Sequence, residues 1–280
     1  MLESEHASYI HHNVTNSLDE DIHTGDLSAQ LLPATLVSSA QIITRQQGVL
    51  CGTQWFDECF RMLDPNCAIN WLAKDGDKIV AGQTLCQVQG LARALLSAER
   101  NALNLLQTLS GTATRTRLYV DEVAGINVKI MDTRKTLPGL RHAQKYAVRT
   151  GGGYNQRIGL FDGILIKENH IAAAGGIRPV LEQAFRLARP GIGVQIEVEN
   201  LAQLDEALNA GAKLILLDNF DPDKLRTAVQ HTGKRAELEA SGGITIENLR
   251  EIALTGVGRI SIGTLTKDLQ TIDLSMRFNT

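Results

Sequence analysis

An incomplete barrel of parallel strands wrapped by helices is the fold predicted for residues from about 128 to 262, on three observations. Six short runs rich in β-branched residues and leucine recur there, at 128–131, 164–166, 194–198, 214–217, 238–240 and 260–262. Helical patterns with readable ends separate the last four. The runs are continuously apolar rather than alternating, which implies burial on both faces, as in a parallel sheet covered by helices. Six strands fall short of the eight of a closed barrel, usually roughly 250 residues, so the barrel is expected to be open. A doubly wound open sheet is the alternative and would require a reversal of strand order.

Composition bounds the rest. A chain of 280 residues, 43% hydrophobic and 21% charged, has room for one large core and a smaller second unit. Its formal net charge of -3 offers no general attraction to nucleic acid or an anionic membrane. No basic segment followed by an apolar run opens the chain, and no apolar stretch of about twenty residues occurs. The cytoplasm is the expected location. Cys51, Cys59, Cys67 and Cys86 contain no Cys-x-x-Cys pair, so reduced, partly buried thiols are expected rather than zinc ligands or a disulfide framework.

In chain order, the polar residues from Leu18 to Ser28 predict a turn region, and 49–52 a short strand ending at Gly52. From Asp75 to Leu85, Asp-Gly and Ala-Gly turns flank short apolar runs in the manner of a hairpin. It faintly resembles the hairpin of biotinyl and lipoyl domains but carries no modifiable lysine at its tip, so a structural role is expected. Residues 92–109 place Leu95, Leu96, Leu103, Leu106 and Leu109 largely on one helical face. Beyond Gly111 strands and helices alternate. Asp221 and Thr245 suit helix N-caps, Pro222 a first turn and Gly256 a C-terminal cap.

The functional signal lies at the carboxyl ends of the six runs. In order these carry Arg134 and Lys135, Lys167, Glu197 and Glu199, Asp218 and Asn219, Ser241-Gly242-Gly243, and, after Ile262, Gly263-Thr264. In such barrels the carboxyl ends of the strands and the following loops build the active site, and the last two loops commonly bind phosphate through glycine backbone N–H groups. Arg157, in the glycine-rich stretch that follows Gly151-Gly152-Gly153, adds another cation. Arg134, Lys135, Arg157 and Lys167 can neutralise several negative charges, while Glu197 and Asp218 offer hard oxygen ligands to Mg2+ holding a diphosphate. A ligand rich in carboxylates and phosphates is expected.

Seven segments closely resemble quinolinate phosphoribosyltransferases: Glu99-Arg100-Asn101-Ala102-Leu103-Asn104, the stretch from Asp132-Thr133-Arg134-Lys135-Thr136 to Arg141, Lys145-Tyr146-Ala147-Val148, Gly151-Gly152-Gly153, Leu165-Ile166-Lys167-Glu168-Asn169-His170, Leu216-Leu217-Asp218-Asn219 and Ser241-Gly242-Gly243. They occur in order within about 18–274. The resemblance implies a magnesium-dependent reaction of quinolinate with phosphoribosyl pyrophosphate, giving nicotinate mononucleotide, diphosphate and carbon dioxide. It also implies an N-terminal α/β sandwich, assigned here to 1–110 with the tail 266–280 as an additional candidate segment, followed by an open barrel, 111–265. The expected assembly is a homodimer with shared sites, or a higher oligomer of it.

Carried over by motif, Arg100 reaches the partner's site and joins Arg134 and Arg157 on the quinolinate carboxylates. Thr133, Lys135 and Lys167 serve substrate anions, Glu197 and Asp218 the magnesium and ribose side, and Ser241, Gly242, Gly243, Ile262, Gly263 and Thr264 the 5-phosphate. Lys135, Lys167, Glu197 and Asp218 are the candidate catalytic residues. One departure is Gln156, where many members have histidine. Glutamine does not titrate near neutral pH, so proton transfer is not expected from it, while binding stays open. Three other readings stand beside this one: a related transferase acting on another heterocyclic acid, a Schiff-base aldolase using Lys167, and a non-catalytic sensor.

Overall fold

The computed structural model describes residues 3–279, which divide into two compact units: 3–117 with 136–152 and 268–279, and 118–135 with 153–267. The sequence placed the divisions at 110 and 265.

The first unit holds a four-stranded antiparallel sheet of β1 (Val37–Thr44), β3 (Ala68–Trp71), β5 (Thr84–Leu91) and the last strand, Leu274–Phe278. Its order is Leu274–Phe278, β1, β5, β3, with Ala40 opposite Phe278 on one side and Val88 on the other. A separate two-stranded ribbon pairs β2 (Gly48–Val49) with β4 (Lys78–Ile79). The hairpin expected within 75–85 is therefore corrected: β4 pairs with β2 and β5 with β1 and β3, so the two runs belong to different sheets.

Buried residues alternate with part-buried ones in the second half of β1 and with exposed ones along most of β5, leaving one face for helices. The helices are α1 (Glu3–Ile22), α2 (Thr53–Leu63), α3 (Ala92–Glu122) and α4 (Arg141–Thr150). Trp55, Phe56, Cys59 and Phe60 of α2 pack in one core with Leu95, Leu103, Leu106 and Leu109 of α3. Residues 18–22, expected as a turn, continue α1. Gly111, read as the end of the helical stretch, lies inside α3, where an added Cβ would collide with the Gln270 carbonyl; glycine permits that close approach. All four cysteines are free and buried, and burial pushes the Cys59 thiol up to about 12 and Cys67 to about 11.

Near α4, His142 is 8% exposed, stacks on Tyr9 at 4.3 Å and has Nε2 3.1 Å from Nδ1 of His6. Burial, then the charges of His6 and Arg149, lower its pKa from 6.5 to about 4. Between these values the unfolded chain binds more protons than the folded one. Stability is therefore fully present above about pH 6.5 and is lost as pH falls toward about 4. His142→Phe should flatten this part of the pH dependence, read as the denaturant midpoint at pH 7 and pH 5. A variant slope as steep as wild type would assign the acid lability to other groups.

The second unit is built on six parallel strands: β6 (Lys129–Met131), β7 (Gly163–Ile166), β8 (Gly193–Val198), β9 (Leu214–Asp218), β10 (Glu237–Ser241) and β11 (Arg259–Ser261). Their spatial order is β6-β11-β10-β9-β8-β7. These are neighbours in cyclic chain order with no pairing between β6 and β7, the strand order of a barrel left open at that seam. It contains no reversal of the kind a doubly wound sheet requires.

Helices α5 (Glu168–Ala174), α6 (Ile177–Leu187), α7 (Leu201–Asn209), α8 (Pro222–Thr232), α9 (Ile246–Ala253) and α10 (Thr264–Lys267) complete the unit. Leu204, Leu225 and Leu249 are their buried contacts. Asp221 caps α8 by accepting from the Lys224 N–H at 2.8 Å. Thr245 opens α9, its N–H donating to Asn248 Oδ1 at 2.9 Å. Leu254, in the right-handed region, is the C-cap of α9, with Gly256 two residues beyond at φ 93°. No helix among the described residues is long and apolar enough to cross a membrane.

Candidate active site

The rim is assembled from strand ends. Asp132, the first residue after β6, is fully buried. Its backbone N–H donates to the Tyr154 carbonyl at 3.0 Å, and Tyr154 N–H donates to Ile130 at 2.8 Å, laying the next loop along the free edge of β6. The Asp132 carboxylate accepts from Asn155 Nδ2 at 2.6 Å and Gln156 N–H at 2.8 Å. That loop carries Arg157, whose Nη1 donates to the Gly163 carbonyl at 3.1 Å.

Arg134 and Arg157 lie close enough to repel. Burial first, and then the Arg134 charge, hold the Arg157 guanidinium below its ordinary value, with Asp162 opposing them. Two guanidiniums that feel each other's charge are groups that could together meet a dianion.

Lys167 directly follows β7 and is the N-cap of α5. Its Nζ donates to Glu197 Oε2 at 2.8 Å, the carboxylate side chain being 12% exposed. Asp218, the last residue of β9, has its pKa raised by burial and then by Glu197, while Lys167 and Lys135 act in the opposite sense. The predicted set of Lys135, Lys167, Glu197 and Asp218 thus falls in one electrostatic neighbourhood. Among the described residues no group of three or more His, Cys, Asp or Glu could hold a metal ion. Glu197 and Asp218 are two carboxylates, a set that could hold magnesium only together with substrate phosphates.

The remaining candidates line the loops after β9, β10 and β11. Asn219, at φ 58°, donates from Nδ2 to Asp218 Oδ2 at 2.8 Å, and its N–H donates to the Ser241 carbonyl at 2.9 Å. Gly242, at φ 97°, backs onto Asn219 so closely that a Cβ would overlap the Asn219 side-chain oxygen. Gly243 follows at φ 61°. Ile262 is buried, and Gly263 faces the side chain of Lys135, whose N–H donates to Thr133 Oγ1 at 3.0 Å. The Lys135 carbonyl accepts from Thr266 Oγ1 at 2.8 Å. Thr264 Oγ1 is buried and finds no hydrogen-bond partner among the described residues.

Arg100 belongs to the other unit of the chain. It is exposed on α3, in the first unit, while the other candidates belong to the second. Sequence reasoning passed over Asp132, Asn219 as a support for Asp218, and Gln195, Glu239 and Ser261 in the barrel interior. An acid within the run 238–240 was the available signal for Glu239.

Comparison with known proteins adds an independent line. Residues 26–110 match the family model described as the N-terminal domain of quinolinate phosphoribosyl transferase, and residues 112–277 match its C-terminal domain. A probable nicotinate-nucleotide pyrophosphorylase (carboxylating) of Bacillus subtilis (strain 168) is 45% identical over 257 residues, covering 92% of this chain and 89% of the relative. The nicotinate-nucleotide pyrophosphorylase (carboxylating) of Mycobacterium leprae (strain TN) is 42% identical over 273 residues, covering 94% and 95%. The solved structure of the nicotinate-nucleotide pyrophosphorylase from Francisella tularensis superposes with a TM-score of 0.94 at 44% identity, over 98% of this chain and 97% of that one. The chain belongs to the quinolinate phosphoribosyl transferase family.

Proposed function

We propose that the chain transfers the phosphoribosyl group of phosphoribosyl pyrophosphate to quinolinate with decarboxylation, giving nicotinate mononucleotide, diphosphate and carbon dioxide in NAD biosynthesis. The observation that carries this reading is the division of the rim into paired guanidiniums, Arg134 and Arg157, and a lysine–carboxylate cluster of Lys167, Glu197 and Asp218. One half suits a dicarboxylate and the other a magnesium diphosphate.

In this mechanism Arg134 and Arg157 hold the two quinolinate carboxylates and aim the ring nitrogen at the anomeric carbon. Glu197 and Asp218 would hold Mg2+, which supplies charge neutralisation for the departing diphosphate. Lys135 and Lys167 place further positive charge beside the substrate anions. Thr133 supports Lys135. Ser241, Gly242, Gly243, Ile262, Gly263 and Thr264 form the 5-phosphate cradle. The ring nitrogen bonds to the anomeric carbon as the carbon–diphosphate bond breaks. The positive ring then stabilises the electron pair left when the adjacent carboxylate departs as carbon dioxide, and that carbon takes a proton.

A Schiff-base aldolase needs a neutral lysine. Here Lys167 is 2.8 Å from a carboxylate oxygen, an arrangement suited to the ammonium. The proposal extends to a cytoplasmic homodimer, or a higher oligomer of it, without nucleic acid or membrane as a partner. Free, buried thiols are consistent with a reducing compartment, and exposed Arg100 on α3 is available to a neighbouring chain's site.

Substrate choice tests the reading. Nicotinate, with one carboxylate, leaves a guanidinium without its anion and should turn over at least roughly a hundredfold more slowly than quinolinate. Equal kcat/KM for the two acids would remove the dicarboxylate receptor from the account.

A further inference from the structure

Two carboxylates hold the backbone on either side of Arg157. Asp132 accepts from the Gln156 N–H, and Asp162 accepts from the N–H groups of Ile158 and Gly159 at 2.8 Å each. Between these staples the Gln156 carboxamide turns inward. Its Nε2 donates to Glu239 Oε1 at 2.6 Å and to Gln195 Oε1 at 3.1 Å, which uses both of its hydrogens.

Glu239 is fully buried in the middle of β10. It also accepts from Gln195 Nε2 at 3.0 Å and from Ser261 Oγ. Gln195, Glu239 and Ser261 come from β8, β10 and β11, so Gln156 ties the Arg157 loop to three strands at once. Desolvating a carboxylate is costly unless its lone pairs are met, so loss of one donor disturbs the whole network.

We propose that Gln156 is a positioning residue that acts through Glu239: it fixes the loop presenting Arg157 and thereby sets the affinity for the aromatic dicarboxylate without touching it. The kinetic part rests on the quinolinate reading; the structural part does not.

The test has two arms. Amide hydrogen exchange without substrate, on wild type and Gln156→Ala, should show exchange at least roughly tenfold faster in 154–163 and unchanged in α7, α8 and α9. Unchanged exchange in that loop would overturn the proposal whatever the enzyme's substrate. In steady-state kinetics, Gln156→Ala should raise KM for quinolinate roughly tenfold while KM for phosphoribosyl pyrophosphate stays within about twofold. Glu239→Gln should act in the same direction, and the double variant should be no worse than the worse single one, because both changes cut the same link. Equal increases in both KM values would reduce Gln156 to a general structural role, and multiplicative effects would make it an independent substrate ligand; either contradicts the proposal. If Glu239→Gln does not fold, Ser261→Ala, which removes one donor from the same carboxylate, takes its place in the cycle. Absence of any wild-type turnover of quinolinate defeats the functional reading instead, and is separable because the exchange arm is unaffected by it.

Discussion

Lys167→Ala, Arg134→Ala and Asp218→Ala should each fold and each lose nicotinate mononucleotide formation by roughly a hundredfold or more. On the proposed reading each removes a charged group that meets substrate or metal, an interaction worth about a few kcal/mol. Their failures should differ in kind. Arg134→Ala leaves one quinolinate carboxylate without its guanidinium and should raise KM for quinolinate. Lys167→Ala frees Glu197 from its ion pair at 2.8 Å and should lower kcat. Asp218→Ala removes a carboxylate whose protonation is favoured by burial and Glu197, and added magnesium should recover little of the loss. Circular dichroism and unfolding midpoints establish that the fold is retained. Near-wild-type turnover in any one of them takes that residue out of the site.

The second large effect is the recovery of activity from two inactive proteins. If Arg100 completes a neighbouring chain's site, Arg100→Ala and Lys167→Ala proteins should both be nearly inactive alone and should complement when unfolded and refolded together. Random pairing gives about half heterodimers, in which one site carries both defects and the other carries neither. Activity should therefore approach about a quarter of wild type per total chain. Heterodimers that form without recovering activity would place Arg100 in its own chain's site or outside the chemistry.

Much of the barrel was legible because its signals are local. The six apolar runs coincide with β6 to β11 to within about a residue at most ends, and Asp218 and Ser241 close their strands where the change from apolar to polar residues put them. The charged strand ends were readable for the same reason. The small unit was harder. Its sheet pairs β1 with the last strand of the chain, and such long-range partners leave no periodic trace. The 75–85 segment misled because local turn residues describe two bends equally well whether or not the flanking strands meet. Residues that hold the site in shape were invisible on similar grounds: Asp132 reads as part of a charged cluster, and Glu239 as one acid in an apolar run, until folding brings Gln156 to them. Arg157 could be named from its type and setting, but the two carboxylates fixing its loop could not.

Release of carbon dioxide from carboxyl-labelled quinolinate tests the central claim most directly. The wild-type protein should release one carbon dioxide for each nicotinate mononucleotide and each diphosphate formed, only when phosphoribosyl pyrophosphate and magnesium are both supplied. Loss of label without phosphoribosyl pyrophosphate, or formation of the nucleotide with both carboxylates retained, would contradict it.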